Sequence, residues 1–265
     1  MPTILRSTGI VLRSIRHGET SLVLTVFTRD FGKIGLMAKG ARSKSRLGSA
    51  AGLELLCEAE FVFYHKPGRD LQLLKEWSVS AAHTGLRSSF EVLAVASAVA
   101  ELLLRCLRDE DAHANLYEHA ASVLSALELH PAASLPLLWV FELQLFRSLG
   151  FGLQFERCAQ TGKPLEPPFS AGVRYRLSEG SFLHPGLPRG AANDGELSAE
   201  SFALLATLAS SSLHLAGRIA PSSRTQQELT SFLARYLETH LPVRGRLRSL
   251  EALRWSSSDT QSEPG

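Results

Sequence analysis

A basic segment near the N-terminus carries the strongest chemical signal in this sequence. Its cations are Lys39, Arg42, Lys44 and Arg46. Only Gly, Ala and Ser residues separate them, and no acidic residue lies between Asp30 and Glu54. Positive charges at this density repel one another, and a bound polyanion relieves that repulsion. The segment therefore predicts a polyanion-binding loop, with a solvated surface loop as the alternative interpretation.

The sequence around this segment favours a nucleic acid as the polyanion. Residues 1–50 contain nine Lys and Arg residues and two acidic residues, a net charge of +7. The whole chain carries +2, so the remainder carries 2 − 7 = −5. The supporting cations are Arg13, Arg16, Arg29 and Lys33. The aromatic residues that interleave with them, each a candidate for the core as well as for base stacking, are Phe27, Phe31, Phe63, Tyr64 and Trp77. Phosphate contacts predict strongly salt-dependent binding, and nothing in the sequence predicts readout of base edges.

The pentapeptide RHGET at residues 16–20 offers an enzymatic alternative. In the histidine phosphatase superfamily, a residue equivalent to His17 accepts the phosphoryl group and one equivalent to Arg16 clamps it. That fold requires a helix directly after the motif, within an alternating α/β chain. Residues 21–28 instead alternate as a β-strand, and the later part of the chain has mainly helical periodicity. We therefore interpret Arg16-His17-Gly18-Glu19 as the turn between two strands.

Two later segments are similar to the halves of a zinc site built from two CxxC motifs. Cys158 occupies the first position of one half, but Thr161 stands where its second cysteine belongs. In the other half, His184 and Leu187 occupy both cysteine positions. A structural zinc requires four Cys or His ligands, and only Cys158 and His184 qualify. We therefore expect no zinc, and an insertion that is held together instead by Phe155, Phe169, Tyr175 and Phe182.

Composition narrows the class of protein further. Three cysteines without a framework of pairs predict a reducing, cytosolic compartment. The first residues lack the apolar segment of a signal peptide, and no apolar run reaches the ~18 residues that span a bilayer. No nucleotide-binding glycine loop, zinc-protease motif or nucleophile elbow occurs. The acidic triplet at 109–111 is typical of a helix start.

Residues 8–80 predict five short β-strands. The predicted strands cover residues 8–15, 21–28, 33–38, 55–64 and 71–79. Glycine-containing turns separate several of them, and apolar residues alternate along the second strand. Five strands in this length suit a small Greek-key barrel, of which the oligonucleotide-binding (OB) barrel is the commonest type. The pattern alone does not distinguish it from an SH3-like barrel.

After residue 84 the periodicity becomes helical, and the fold class is α+β. The predicted helices cover residues 89–107, 111–129, 134–149 and 224–241, with another beginning after Ser198. Ser88 and Glu91 predict a capping box for the first, Ser134 predicts an N-cap and Gly150 a helix end. The predicted domains are an OB-fold barrel at 1–80, a helical domain at 81–150 and 196–255, a loop-rich degenerate zinc-finger-like insertion at 151–195, and a disordered tail at 256–265.

The order of these features resembles the RecO family of bacterial recombination mediators. The similarity is carried by Glu19-Thr20-Ser21, by the segment from Phe27 to Lys33, and by the segment from Ala38 to Arg42. It extends across residues 4–253. The elements at Cys158 and His184 fall where many members have four zinc-binding cysteines, and their loss here departs from those members.

The resemblance implies a non-enzymatic DNA-binding protein with an N-terminal OB barrel. It implies binding to single- and double-stranded DNA, annealing of complementary strands, and action with RecR to load RecA on DNA coated by single-strand-binding protein (SSB). We expect Lys39, Arg42, Lys44 and Arg46 to bind DNA, with Arg13, Arg16, Arg29 and Lys33 in support. The alternatives are an RNA-binding barrel protein and a helical body whose main role is docking partners such as the acidic tail of SSB.

Overall fold

The computed structural model describes residues 2–42, 53–188, 194–241 and 247–251. Contacts group the chain into two compact units, residues 1–128 with 247–265, and residues 129–246. The first unit thus includes two helices besides the strands, whereas the predicted boundary at residue 80 followed only the change of periodicity. The predicted tail at 256–265 lies outside the described residues.

The first unit contains a closed five-stranded barrel. Its strands are β1 (Thr3–His17), β2 (Ser21–Thr28), β3 (Gly32–Ala38), β4 (Glu58–His65) and β5 (Leu71–Ala81). Their order around the barrel is β1-β2-β3-β5-β4, and the β3–β5 pair is parallel while the other pairs are antiparallel. This is the topology of an OB barrel, so the predicted α+β fold with an N-terminal OB-type barrel is confirmed.

The long first strand closes the barrel. Its N-terminal half pairs with β4, and its C-terminal half pairs with β2. A bulge between Val11 and Arg13 lies within the part that pairs with β2, and a bulge bends and twists the strand that contains it. The strand begins at Thr3 rather than at the predicted residue 8. Residues 3–7 include Arg6 and two hydroxyl residues. These polar residues interrupt the apolar alternation that identifies a strand, and they are tolerated because the outer face of this strand is exposed.

Alternation along the strands explains which side chains fill the barrel. Leu24 and Val26 of β2 and Leu36 of β3 are fully buried in its core, and their neighbours in sequence point outward. The fourth strand begins at Glu58, three residues later than predicted. Leu56, just before it, has a φ of 70°, which extended β-structure does not allow.

Two helices complete the first unit, α1 (Phe90–Cys106) and α2 (Ala114–Leu129, whose last residue falls in the second unit). The predicted capping box is wrong. Ser89, not Ser88, is the N-cap of α1 and accepts a hydrogen bond from the N–H of Val92. The residue three positions after Ser89 is therefore an apolar core residue, so no acidic side chain completes a box.

The second unit combines helices with a small sheet. Its helices are α3 (Ser134–Ser148), α4 (Ala199–Ser210), α5 (Leu213–Ala216) and α6 (Ser223–His240). Ser134 is the first helical residue and Ala133 is the N-cap, so the predicted Ser134 cap is wrong, whereas Ser198 caps α4 as predicted. Gly150, with φ of 86°, ends α3 as predicted.

The predicted insertion contains β6 (Val173–Arg176) and β7 (Ser181–Leu183) and ends where β8 (Gly195–Leu197) begins; these strands form a sheet in the order β7-β6-β8. Aromatic rings hold it in place. Phe182 stacks on Phe155 at 5.2 Å and meets Phe202 of α4 edge-on at 5.0 Å between ring centroids. Within the described parts of both units, no helix combines the length and apolar character that crossing a membrane requires.

Candidate nucleic-acid interface

The predicted basic segment leaves the barrel at the end of β3. Lys39 is exposed, and Gly40 adopts a φ of 65° that a side chain disfavours. Ala41 is fully buried in the barrel core. The backbone N–H of Arg42 donates to the carbonyl of Thr20 at 2.8 Å, which fixes the segment beside the β1–β2 turn. Lys44 and Arg46 lie outside the described residues.

A cleft of about 560 Å³ brings together cations that are far apart in sequence. Arg13 and Arg16 of β1 and Arg42 after β3 line it over apolar side chains such as Leu12 and Leu22. Glu54 also lines the cleft, but its Oε2 lies 2.6 Å from Nη2 of Arg87, which balances its charge. Three guanidinium groups around one cleft can bind phosphate groups, because each presents several N–H donors to phosphate oxygens.

Lys33, which was predicted to support DNA binding, is hydrogen-bonded within the protein. Its ammonium donates to the carbonyls of Leu104 and Leu107 at 2.9 and 2.8 Å, and only 13% of its side chain is exposed. These carbonyls belong to the end of α1, where a cation also interacts favourably with the helix dipole. Lys33 thus joins the barrel to the helix and is not free to contact a phosphate.

Arg29 is also engaged, in the turn between β2 and β3. Its Nε lies 2.6 Å from Oε1 of Glu118 on α2, and its Nη1 lies 3.3 Å from Oδ1 of Asp30. The hydrogen bond to Glu118, above all, raises the pKa of Arg29. Two carboxylates beside this guanidinium make the turn a poor place for a phosphate group, and we leave Arg29 out of the interface.

A second cleft, of about 640 Å³, lies at the turn between β4 and β5. Lys66 and Arg69 line it together with Tyr64 and Leu73. The sequence indicated only a hairpin turn here, and its Pro and Gly residues obscured the two cations. Knowledge of the OB topology identifies them, because the β4–β5 loop of that fold is a recurrent site of oligonucleotide binding.

The aromatic residues divide between core and surface. Phe27 and Phe63 are fully buried, and Phe31 packs edge-on against Phe63 at 5.8 Å. Trp77 packs against the same core and is half-buried. Tyr64 remains, and it is half-buried and lines the second cleft. Among these five candidates, Tyr64 is therefore the one placed to meet a base.

The phosphatase motif lies in a β-turn. His17 ends β1 and pairs with Ser21, and Gly18 has a φ of 59° between the two strands. The residues that follow form β2, so a strand occupies the place of the helix that the phosphatase fold requires. Arg16 of the same motif instead lines the basic cleft.

The residues at the degenerate zinc element do not fit a zinc ion. Sγ of Cys158 accepts a hydrogen bond from the backbone N–H of His184 at 3.3 Å, and Nδ1 of His184 accepts one from Gly186 at 3.1 Å. Burial acts to raise the pKa of the Cys158 thiol, but hydrogen bonds, led by that of the Thr161 side chain, lower it to about 7. Throughout the described ranges, no three Cys, His, Asp or Glu side chains gather as metal ligands would.

Comparison with known proteins agrees with this architecture over most of the chain. The family model described as "Recombination protein O N terminal" matches residues 1–83, and that described as "Recombination protein O C terminal" matches residues 87–251. A protein of Anaeromyxobacter sp. (strain Fw109-5), named "DNA repair protein RecO", is 34% identical over 239 residues, which cover 89% of this chain and 91% of that protein.

A protein of Chlorobium limicola with the same name is 29% identical over 259 residues, covering 93% of this chain and 96% of its own length. Another, from Chloroherpeton thalassium, is 33% identical over 183 residues, covering 68% of this chain and 70% of its own. Both family models together span the barrel and the helical part that the structure describes. The chain therefore belongs to the RecO family.

Proposed function

We propose that this chain is a DNA-binding mediator of DNA repair and recombination. Membership of a family whose members are named DNA repair proteins supports the repair and recombination role. The observation that carries the DNA-binding role is the cleft in which Arg13, Arg16 and Arg42 converge beside the exposed Lys39. The chain binds single- and double-stranded DNA there, with Lys44 and Arg46 contributing from the same basic segment.

Annealing of complementary strands follows from the chemistry of this surface. Two strands repel one another through their phosphates, and cations bound to both lower that repulsion while counterions are released. Annealing then needs no nucleotide, and we assign the chain no enzymatic step. In this proposal it acts with RecR to load RecA onto DNA that SSB coats, in the bacterial cytoplasm near the nucleoid. The three cysteines form no disulfide bond, which is consistent with a reducing compartment.

We also infer that the chain works without zinc. The insertion offers one thiol and one imidazole where a structural site needs four ligands, and aromatic packing occupies the surroundings. Analysis of the purified protein by plasma mass spectrometry tests this directly. Zinc at one equivalent per chain would contradict the inference.

The test of DNA binding is a variant in which Lys39, Arg42, Lys44 and Arg46 are all replaced by Ala. We expect weaker binding to both single-stranded and duplex DNA, with the dependence of log Kd on log salt reduced by up to about four, one for each lost phosphate contact. Fluorescence anisotropy at several salt concentrations measures both quantities.

The matched control replaces two other exposed barrel cations, Arg6 and Lys75, which are already paired with Glu60 and Glu76. This variant should bind DNA as the parent does. Unchanged affinity and salt dependence in the fourfold variant would remove this surface as the DNA site. Competition with RNA of equal length distinguishes the DNA-binding role from an RNA-binding one, which predicts preference for RNA.

Docking of the partner proteins is tested on the full chain. Binding to a peptide with the acidic C-terminal sequence of SSB, and to purified RecR, should persist in the fourfold variant, because we place those contacts outside the basic segment. If the fourfold variant loses both partner interactions as well as DNA binding, the basic segment also binds the partners, and the assignment of separate surfaces is wrong.

A further inference from the structure

Glu54 places a carboxylate in the basic cleft. It lines the cleft together with Arg13, Arg16 and Arg42. A carboxylate beside guanidinium groups competes with phosphate for them, because both anions accept the same paired hydrogen bonds. Among the residues that the structure describes, however, none forms an ion pair with these three arginines. The placement of the Glu54 carboxylate therefore affects how much positive charge the cleft offers to a ligand.

The partner of this carboxylate is Arg87. Its Nη2 lies 2.6 Å from Oε2 of Glu54, and the two side chains are 43% and 65% exposed. Arg87 makes this contact from outside the set of residues that line the cleft. An ion pair between exposed side chains contributes little to stability, so the contact has more effect on the charge of the cleft than on the fold.

A buried contact four residues earlier in the chain fixes the position of Arg87. Arg87 ends the short 3-10 helix Thr84–Arg87, and His83 directly precedes that helix. Nε2 of His83, whose side chain is 2% exposed, lies 2.8 Å from Oε1 of Glu58. Glu58 follows Glu54 by four residues, so the two contacts fasten the helix at both ends. The helix therefore presents Arg87 to Glu54 at a fixed place.

The backbone that carries Glu54 is fixed as well. The N–H of Leu56 donates to the carbonyl of Val11 at 2.8 Å, and the N–H of Val11 donates to the carbonyl of Cys57 at 2.9 Å. These hydrogen bonds attach the segment before β4 to β1, the strand that supplies two of the three arginines of the cleft. Glu54 thus stays beside the cleft whether or not Arg87 is present.

We propose that Arg87 is a positioning residue for DNA binding, which holds the Glu54 carboxylate and so keeps Arg13, Arg16 and Arg42 available to phosphate groups. The inference rests on the proposed DNA-binding function and deepens it, because it identifies a residue outside the cleft that controls the charge inside it. Without Arg87, Glu54 pairs with an arginine of the cleft and occupies the place of a phosphate group. The cleft then offers two free guanidinium groups instead of three.

The test is a double-mutant cycle on the DNA affinity of the full chain, measured by fluorescence anisotropy at several salt concentrations. We expect Arg87→Gln to weaken binding of a thymidine homo-oligomer about fivefold, the strength of a good exposed ion pair, and to lower the salt slope by up to about one. Glu54→Gln should bind at least as tightly as the parent. When Glu54→Gln is already present, Arg87→Gln should have no further effect, because no carboxylate remains to enter the cleft.

Direct contact between Arg87 and a phosphate predicts a different cycle. Arg87→Gln would then weaken binding by the same factor with and without Glu54→Gln, and that result would overturn the inference. Arg87→Lys keeps a cation for Glu54 and should retain most of the affinity, whereas a loss as large as that of Arg87→Gln would contradict the positioning role.

The matched control is Arg6→Gln. It frees Glu60 from another exposed ion pair on the barrel, and Glu60 lies outside the lining of the basic cleft, so DNA affinity should not change. Thermal unfolding compared with the parent reports whether each variant is folded. A fall in affinity for Arg6→Gln equal to that for Arg87→Gln would show a general effect of charge and would contradict the proposal.

The two proposals fail in different ways. If the fourfold Ala variant of the basic segment keeps its affinity, the DNA-binding assignment is wrong. If that variant loses affinity while Arg87→Gln binds as the parent does, or weakens binding equally with and without Glu54→Gln, DNA binding stands and Arg87 has no positioning role.

Discussion

His83 is held by two carboxylates. Its Nδ1 lies 2.8 Å from Oε2 of Glu128 on α2, and its Nε2 lies 2.8 Å from Oε1 of Glu58 on β4. Its side chain is only 2% exposed. A ring with both nitrogens facing carboxylates is stabilised as the doubly protonated cation, so this residue links the barrel to α2 through charge as well as through hydrogen bonds.

This arrangement makes the stability of the first unit depend on pH. Burial acts to lower the pKa of His83, but the hydrogen bonds that the ring donates to Glu58 and Glu128 outweigh it and raise the pKa above 6.5. A raised pKa in the folded state contributes stability that is complete below pH 6.5 and is lost as the pH rises through the folded value. We expect His83→Gln to lower the free energy of unfolding by about 3 kcal/mol at pH 6, and by less at pH 9.

Urea unfolding at several pH values measures this difference. His17→Gln, which removes an exposed imidazole from the same barrel, is the control for the loss of a histidine. A constant difference between His83→Gln and the parent from pH 6 to pH 9 would show that folding does not raise the pKa of His83.

At the scale of elements, the start of β3 lies in close contact with the segment that joins α1 and α2. Gly32, the first residue of β3, has a φ of 67°, and a side chain there would collide with the backbone of Asp111. Beside it, Lys33 forms a parallel bridge with Asp109, and the N–H of Glu110 donates to the carbonyl of Lys33 at 3.0 Å. The acidic triplet thus continues the edge of the barrel, whereas its sequence indicated only a helix start.

We expect Gly32→Ala to destabilise the protein by more than the ~1–2 kcal/mol that a left-handed backbone costs an ordinary residue, because the added methyl group must displace the chain at Asp111. Gly68→Ala is the matched control. Gly68 has a φ of 72° in the β4–β5 turn, and nothing lies near its added Cβ. Equal losses of free energy of unfolding in the two variants would contradict a tight approach at Gly32.

Strands were predictable from the sequence where one face is buried and the other is not. Residues 21–28 alternate cleanly and were placed correctly, while the early part of β1 lacks apolar alternation and was missed. The basic cleft was predictable in type, since cation density is visible in sequence. The hydrogen bonds of Lys33 to the end of α1 could not be predicted, because no local sequence pattern indicates which helix end packs against a strand.

At the scale of the molecule, the charge that we propose for DNA binding is divided between the two clefts of the barrel. Replacing Lys66 and Arg69 by Ala should reduce the salt dependence of single-strand binding by up to about two, since each lost phosphate contact lowers the slope by about one. If one strand occupies both clefts, this reduction adds to that of the fourfold variant of the basic segment.

Anisotropy titrations with the combined variant determine whether the reductions add. Arg6 and Lys75, each paired with a neighbouring carboxylate on the barrel, again provide the control replacement. A combined slope equal to that of the fourfold variant alone would place Lys66 and Arg69 outside the path of the strand.

Closure of the barrel has a consequence for how other molecules recognise it. Because β1 pairs with β2 through one half and with β4 through the other, and β3 pairs with β5, every strand has two neighbours. Strands β2 and β4 pair along both sides, which leaves them no free edge on which a foreign strand could add by backbone hydrogen bonding, whereas β3 and β5 pair with each other only over Gly35–Met37 and Leu71–Leu73. Recognition at β2 and β4 therefore depends on side chains and loops, so partner choice there can be altered by point substitutions that leave the fold intact.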